Sequence, residues 1–139
     1  MISVIIPCNE DRGFLDRAIK SIEMQDCPHE VIVSMSDNLM PYNFNRGLER
    51  AKGEYVKLIH EDDYLLPGGL KKLVYGIKSH PWIFANAFQD DTPEWIYRPG
   101  DYTKDYLSLQ ENLSTNRIHI STTLYRTKVL REVGGMDET

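Results

Sequence analysis

A chain of 139 residues, 41% hydrophobic and 27% charged, has the size and composition of one soluble domain that buries most of its apolar surface in a single core. Its net charge of -5 excludes a nucleic-acid partner held by a basic face, although an anionic nucleotide is acceptable where a metal bridges the charges. Cys8 and Cys27 make no disulfide framework or metal motif, the apolar runs are too short to span a bilayer, and no secretory signal stands at Met1; a cytoplasmic domain that does not span a membrane is the expectation.

In chain order the pattern alternates strand and helix. Residues 2–6 form a β-branched run ended by Pro7, and Cys8 is expected to pack beside it. Phe14, Leu15, Ala18, Ile19 and Ile22 recur at helical spacing up to Pro28. Residues 30–35 predict a second buried strand, closed by the turn formers Ser36, Asp37 and Asn38. Phe44, Leu48 and Ala51 mark a second helix that Gly53 stops. Tyr55, Val56, Leu58 and Ile59 predict a third strand, and Leu70, Leu73, Val74 and Ile77 the helix after it, with Pro67 in its first turn. Connections this short imply a parallel sheet with right-handed crossovers.

The second half is less regular. Residues 82–88 predict one strand, Asp90, Asp91 and Pro93 a turn, and residues 94–98 a short extended return. Residues 102–109 are weakly helical and 118–125 strand-like; Thr127 is placed to cap a short helix that ends at Gly134-Gly135. No repeat, low-complexity segment or linker interrupts the chain, so residues 1–139 are read as one domain.

The most informative feature is the run Glu61-Asp62-Asp63 directly after the third strand. In open α/β sheets ligands bind outside the carboxyl ends of the strands, so acids there face a crevice. Adjacent carboxylates at such a point suit a hard divalent cation that also grips phosphate oxygens. The competing reading is a solvated acidic turn before a helix, where acids are favoured anyway. Asn9 and Glu10 are similarly open between orienting a base or ribose and capping the helix that follows.

Taken in order, these segments resemble the family 2 inverting glycosyltransferases of the GT-A fold. Ser3-Val4-Ile5-Ile6-Pro7-Cys8-Asn9-Glu10 resembles the family's opening strand, and residues 18–25 its first helix. Residues 45–55 are similar to its Asn-x-Gly-(Ile/Leu)-x-x-Ala-x-Gly-x-Tyr segment, Val56 to Pro67 to its metal motif, and Val133-Gly134-Gly135-Met136-Asp137-Glu138 to its Val-Gly-Gly-Phe-Asp-Glu landmark. The resemblance implies an α/β domain of the nucleotide-diphospho-sugar transferase type, Rossmann-like, with a mostly parallel sheet flanked by helices. It further implies transfer of a sugar from a nucleotide-diphosphate sugar to a glycan, lipid or protein acceptor, assisted by Mn²⁺ or Mg²⁺. Asp63 then takes the metal, and Pro7, Asn9, Glu10, Asp37, Asn45 and Asp62 belong to the donor site. His60 is a weak ligand or a packing residue, and Glu61 is expected in solvent.

Three departures bear on function. Asp37 falls about two residues late for the family's base-binding Asp. The segment between that turn and the Asn-x-Gly helix is reduced to residues 39–44, without the strand and the phosphate-contacting Arg usual there. The sequence given stops at Thr139, before the family's general base, which leaves Asp137, or else Asp90 or Asp91, to take the acceptor proton. A compact transferase is therefore weighed against a nucleotide-sugar-binding module, or a truncated transferase, that transfers poorly. Nucleotidyltransferases are disfavoured because Pro7-Cys8-Asn9-Glu10 stands where their Gly-rich loop would be, and receiver domains because no acid pair follows the first strand. A domain this reduced could cover an exposed sheet edge by self-association.

Overall fold

A computed structural model describes residues 1–85, 87–88, 95–97 and 119–139. Among them run β1 (Ile2–Cys8), α1 (Leu15–Glu23), β2 (His29–Met35), α2 (Met40–Arg50), β3 (Tyr55–Leu58), α3 (Gly69–Ile77), β4 (Trp82–Phe84), β5 (Ala87–Phe88), β6 (Trp95–Tyr97), a 3₁₀ turn (Ile120–Thr122), β7 (Thr123–Arg126) and α4 (Thr127–Glu132). The main sheet has five strands in the order β2-β1-β3-β7-β4, and β5 pairs with β6 separately.

β1 is buried along its whole length and pairs in parallel with β2 on one side and β3 on the other. β7 is antiparallel to both β3 and β4, so β4 runs with the three leading strands and the sheet is mostly parallel. Strand alternation splits the core into two layers. Val4 and Ile6 meet Ala18 and Ile22 of α1 and Leu70, Leu73 and Ile77 of α3. Ile5 and Leu58 meet Phe44 and Leu48 of α2 and Leu130 of α4 on the other face. Gly53 enters β3 where a Cβ would lie 2.6 Å from the Ser3 backbone nitrogen, so this approach of two chain segments requires glycine.

Several boundaries differ from the sequence expectation. Pro7 does not end β1, which continues to Cys8 beside β2. Polar groups alternate sides along a strand: Ile5 accepts from Ile59 at 3.1 Å, and Cys8 accepts from Ser36 at 3.3 Å. The missing N–H of Pro7 therefore points towards β3, which has already ended at Leu58. Pro67 lies before α3 rather than in it; Gly68, at φ 72°, turns the chain into the helix. The single strand expected over residues 82–88 is two, because β4 joins the main sheet and β5 leaves it to pair with β6. Thr127 is inside α4, and its hydroxyl bonds the Gly53 carbonyl at 2.6 Å instead of capping. Asp90, Asp91, Pro93 and residues 102–109 lie outside the described residues. No described helix is long and apolar enough to cross a membrane.

Lys57, on β3, is the least expected core residue. It is 1% exposed, and its ammonium donates to the carbonyls of Ser121 at 2.5 Å and Thr123 at 3.5 Å. Burial pushes its pKa down to about 7 against the opposing pull of the Asp63 carboxylate. An unfolded lysine titrates near 10.4, so between about 7 and that value the unfolded chain holds a proton that the folded chain has released. Stability should rise with pH across this window. Urea unfolding at a series of pH values checks this: the parent gains stability above neutrality, and Lys57→Met removes the gain.

Candidate functional site

The carboxyl ends of β1, β2 and β3 lie side by side at one edge of the sheet, because all three strands are parallel neighbours. Asn9 and Glu10 follow β1, Asp37 follows β2, and the acid run follows β3. Asn9, Glu10 and Asp37 are exposed there. Pro7 is buried within β1 opposite Ser34, so it supports this corner from inside the sheet. The capping alternative for Asn9 and Glu10 does not hold: α1 begins after Phe14 with no side-chain cap, and the Glu10 carbonyl instead accepts the Cys8 thiol at 2.8 Å.

The residue that fastens this edge is Asn43, in the first turns of α2. It is 1% exposed, and its amide nitrogen lies 3.0–3.1 Å from the carbonyls of Cys8, Ser36 and Asn38, which share its two N–H donors, while its oxygen accepts the Ser36 hydroxyl at 2.6 Å. One side chain thus joins the ends of β1 and β2 and the Asp37 turn that follows β2. Sequence reasoning missed it. The available signal was a polar residue on the apolar face that carries Phe44.

The three acids divide. Glu61 does not project into solvent. It is 7% exposed and accepts Arg12 Nε at 2.8 Å, with a second contact from the same guanidinium. A buried carboxylate needs such a charge-assisted donor. Asp62 is exposed and accepts Arg12 at 3.1 Å, and its backbone carbonyl accepts Arg17 at 2.8 Å. Arg17 also lies 4.9 Å from the centre of the Tyr64 ring. Two arginines from the β1–α1 connection and α1 therefore stand against the acid run. Neither was singled out in the sequence, because they lie 49 and 45 residues from their partners.

Asp63 turns the other way. Its Oδ2 atom is buried with no hydrogen-bond partner among the described residues. It lines a cavity of about 590 Å³ at the ends of β3 and β4, with Lys57, Tyr64, His119 and Thr122. Burial lowers the pKa of His119, opposed by the nearby Asp63 charge. The His60 and His119 rings meet edge to face at 5.9 Å. Among the described residues no three His, Cys, Asp or Glu side chains form a ready metal cage. A bare, inward carboxylate oxygen fits a cation that takes its remaining ligands from a bound diphosphate and water.

Asn45 and Asp137 lie on the α2 face of the molecule. The Asn45 amide pairs with the Met136 backbone and the Glu138 carboxylate rather than with the strand ends. Asp137 is exposed, and its carboxylate accepts the Thr139 hydroxyl at 2.7 Å and its N–H at 3.0 Å, which hold its pKa below the usual value.

No family model matches the sequence. The chain is 28% identical over 135 residues to the GalNAc(5)-diNAcBac-PP-undecaprenol beta-1,3-glucosyltransferase of Campylobacter jejuni, an alignment covering 76% of this chain and 41% of that protein. The structure superposes on S. aureus TarS 1-349 in complex with UDP-GlcNAc with a TM-score of 0.69 at 19% identity, covering 95% of this chain and 47% of that one. For the same protein in complex with UDP the TM-score is 0.68 at 20% identity, over 99% and 50% of the two chains. The chain thus spans half or less of the length of these relatives. The structural likeness establishes the GT-A type of α/β fold, and the sequence match establishes homology to a glycosyltransferase.

Proposed function

We propose that this chain is a donor-binding glycosyltransferase domain of the family 2, GT-A kind, which takes a sugar from a nucleotide-diphosphate sugar. The observation that carries the reading is the acid run at the carboxyl edge, where Asp62 faces two arginines and Asp63 presents to a cavity a buried oxygen that is unpartnered among the described residues. A solvated acidic turn would leave its carboxylates in water. The homology to a glucosyltransferase and the fold shared with a UDP-GlcNAc complex support the same assignment.

In this reading the nucleoside lies over the ends of β1 and β2, oriented by Asn9, Glu10 and Asp37. Arg12 and Arg17 stand on the diphosphate side, where their charge offsets the donor's phosphates. Asp62 orients the ribose or sugar, and Asp63 holds Mn²⁺ or Mg²⁺. When bound, that cation acts as a Lewis acid towards the charge that develops on the diphosphate. The bond from the anomeric carbon to the β-phosphate oxygen breaks while the acceptor oxygen attacks from the opposite side. Asp137 takes the acceptor hydroxyl proton as general base. His119, beside Asp63, belongs to the wall of the sugar side.

Calorimetry with UDP tests the donor site. Affinity should be weak without a divalent cation and strengthen with Mn²⁺. Asp63→Ala should remove the strengthening, at a cost of about 1–3 kcal/mol for a lost charge-assisted contact. Equal affinity with and without Mn²⁺ in the parent refutes the assignment of Asp63.

The catalytic assignment is read from UDP release with UDP-glucose or UDP-GlcNAc, alone and with an acceptor panel. Asp137→Asn should lower turnover by about 10²–10⁴ while leaving donor affinity intact. Turnover that survives the change moves the base elsewhere, with Asp90 and Asp91 next to be substituted. Donor binding without turnover in the parent favours the binding-module alternative.

A further inference from the structure

Residues 59–68 join β3 to α3 and carry the acid run. Polar side chains of the α1 segment take hold of their backbone. Arg17, Ser21 and Gln25 are spaced four residues apart, which sets them in one row along the helix and just past its end. Arg17 donates to the Asp62 carbonyl at 2.8 Å. The Ser21 hydroxyl donates to the Ala18 carbonyl at 2.7 Å, and its oxygen accepts the Leu65 N–H at 3.0 Å. Gln25, 6% exposed, donates to the carbonyls of Ser21 and Leu66, both at 3.0 Å, and accepts the Leu70 N–H at 3.1 Å. That N–H belongs to the first turn of α3, whose cap position is Gly68 and offers no side chain to it.

The row clamps one short stretch of chain. Asp62 and Leu65 are both held from α1, and only Asp63 and Tyr64 lie between them. Asp63 presents its buried oxygen to the cavity at the ends of β3 and β4. Ser21 and Gln25 are not in the lining of that cavity; with Tyr64, Leu65 and Pro67 they line a separate groove between α1 and the loop. Leu65 packs against the core shared by α1 and α3, but apolar packing is non-directional and does not fix which way the neighbouring peptides turn. Hydrogen bonds to a carbonyl on one side of Asp63 and an N–H on the other do fix it.

We infer that Ser21 and Gln25 are positioning residues for the cation at Asp63: they hold the backbone of residues 62–66 so that the Asp63 carboxylate meets the cation and the donor's diphosphate in one geometry. This rests on Asp63 as the cation's ligand in the proposed function. It gives Ser21 and Gln25 no contact with cation, nucleotide or sugar. It makes α1 the element that aims the acid run, since a binding constellation works only when its supporting groups hold it to within about 0.5 Å.

The test compares the parent chain with Ser21→Ala, Ser21→Thr, Gln25→Met and Thr127→Val. UDP affinity is measured by calorimetry with and without Mn²⁺, and urea unfolding without metal gives the stability of each chain. Alanine suits a helix interior, and methionine keeps the length of Gln25 without its amide. Thr127→Val removes a hydroxyl bond to the Gly53 carbonyl at the amino edge of the sheet, so it reports what a loss of stability alone does. Ser21→Ala and Gln25→Met should each lose about tenfold of the Mn²⁺ enhancement of UDP affinity, as when a group that orients a metal ligand is removed. Their cation-free UDP affinity should stay within about twofold of the parent, since no nucleotide contact is lost. Ser21→Thr should keep the enhancement, because a threonine hydroxyl in a helix can still bond the carbonyl of the preceding turn. Thr127→Val should keep it whatever its stability. An enhancement retained by Ser21→Ala or Gln25→Met, an equal loss in Thr127→Val or Ser21→Thr, or failure of both Ser21→Ala and Gln25→Met to fold assigns the row to the fold alone and overturns the inference. A parent that binds UDP equally with and without Mn²⁺ refutes the assignment of Asp63 itself and takes the inference with it, a separate result seen before any variant is compared.

Discussion

Everything at the candidate site depends on β1 lying in parallel between β2 and β3. Parallel pairing puts three carboxyl termini on one edge, and only there can residues near positions 9, 37 and 62 follow neighbouring strands. The arrangement is costly to build, because each connection must cross the sheet before its strand can pair. It is secured by polar bonds at both edges. At the carboxyl edge Asn43 ties Cys8 to Ser36 and Asn38. At the amino edge Ser3 donates to Glu30 at 2.6 Å and accepts from Gly53 at 2.8 Å, which pins all three strands. Both Asn43 and Ser3 are buried, so leaving their partners unpaired would cost more than the bonds themselves contribute.

The first three strands and the helices between them were legible from sequence because their signals are local. β-branched runs and apolar residues at helical spacing give the same answer whichever neighbour they pack against. What was not legible depends on partners far away. Nothing in Tyr55-Val56-Lys57-Leu58 says that the lysine is buried, since an alternating strand normally turns such a residue to water. Here β3 is covered on both faces, and the amine finds carbonyls at Ser121 and Thr123. The split of residues 82–88 has the same cause. Its first half pairs with β7, some forty residues later, and no local pattern marks where that partner stops.

Glu61 shows how the chemistry of a motif can hide in plain view. Read as a string, Glu61-Asp62-Asp63 is three like charges at a strand end, and solvent is the natural place for the first. The structure makes the three unequal. Glu61 is buried and holds Arg12; Asp62 shares that arginine at the surface; Asp63 faces inwards with an oxygen unpartnered among the described residues. The Arg12–Asp62 pair, exposed on both sides, adds little to stability. Its value is positional, since it keeps a guanidinium beside the carboxylates instead of in solvent. An acidic chain can in this way hold an anionic ligand: the cations needed are few, and they are fixed next to the acids.

The short connection from β2 to α2 has a consequence at the same edge. Only residues 36–39 separate the two elements, and β2 is left as an outer strand of the sheet. Arg50 caps one of its outward carbonyls, that of Val33, at 3.3 Å. Met35, Leu39 and Tyr42 stay exposed around the Asp37 turn. The short connection also explains why Asn43 can do its work. With four residues to cross, the first turn of α2 is drawn directly over the ends of β1 and β2, and an amide there reaches both. A longer insertion would move the helix start away and leave the Asp37 turn to be held by other means. The reduction that sets this chain apart from the family it resembles is thus the same feature that places its α2 asparagines, one over the ends of β1 and β2 and one over the Gly134-Gly135 turn.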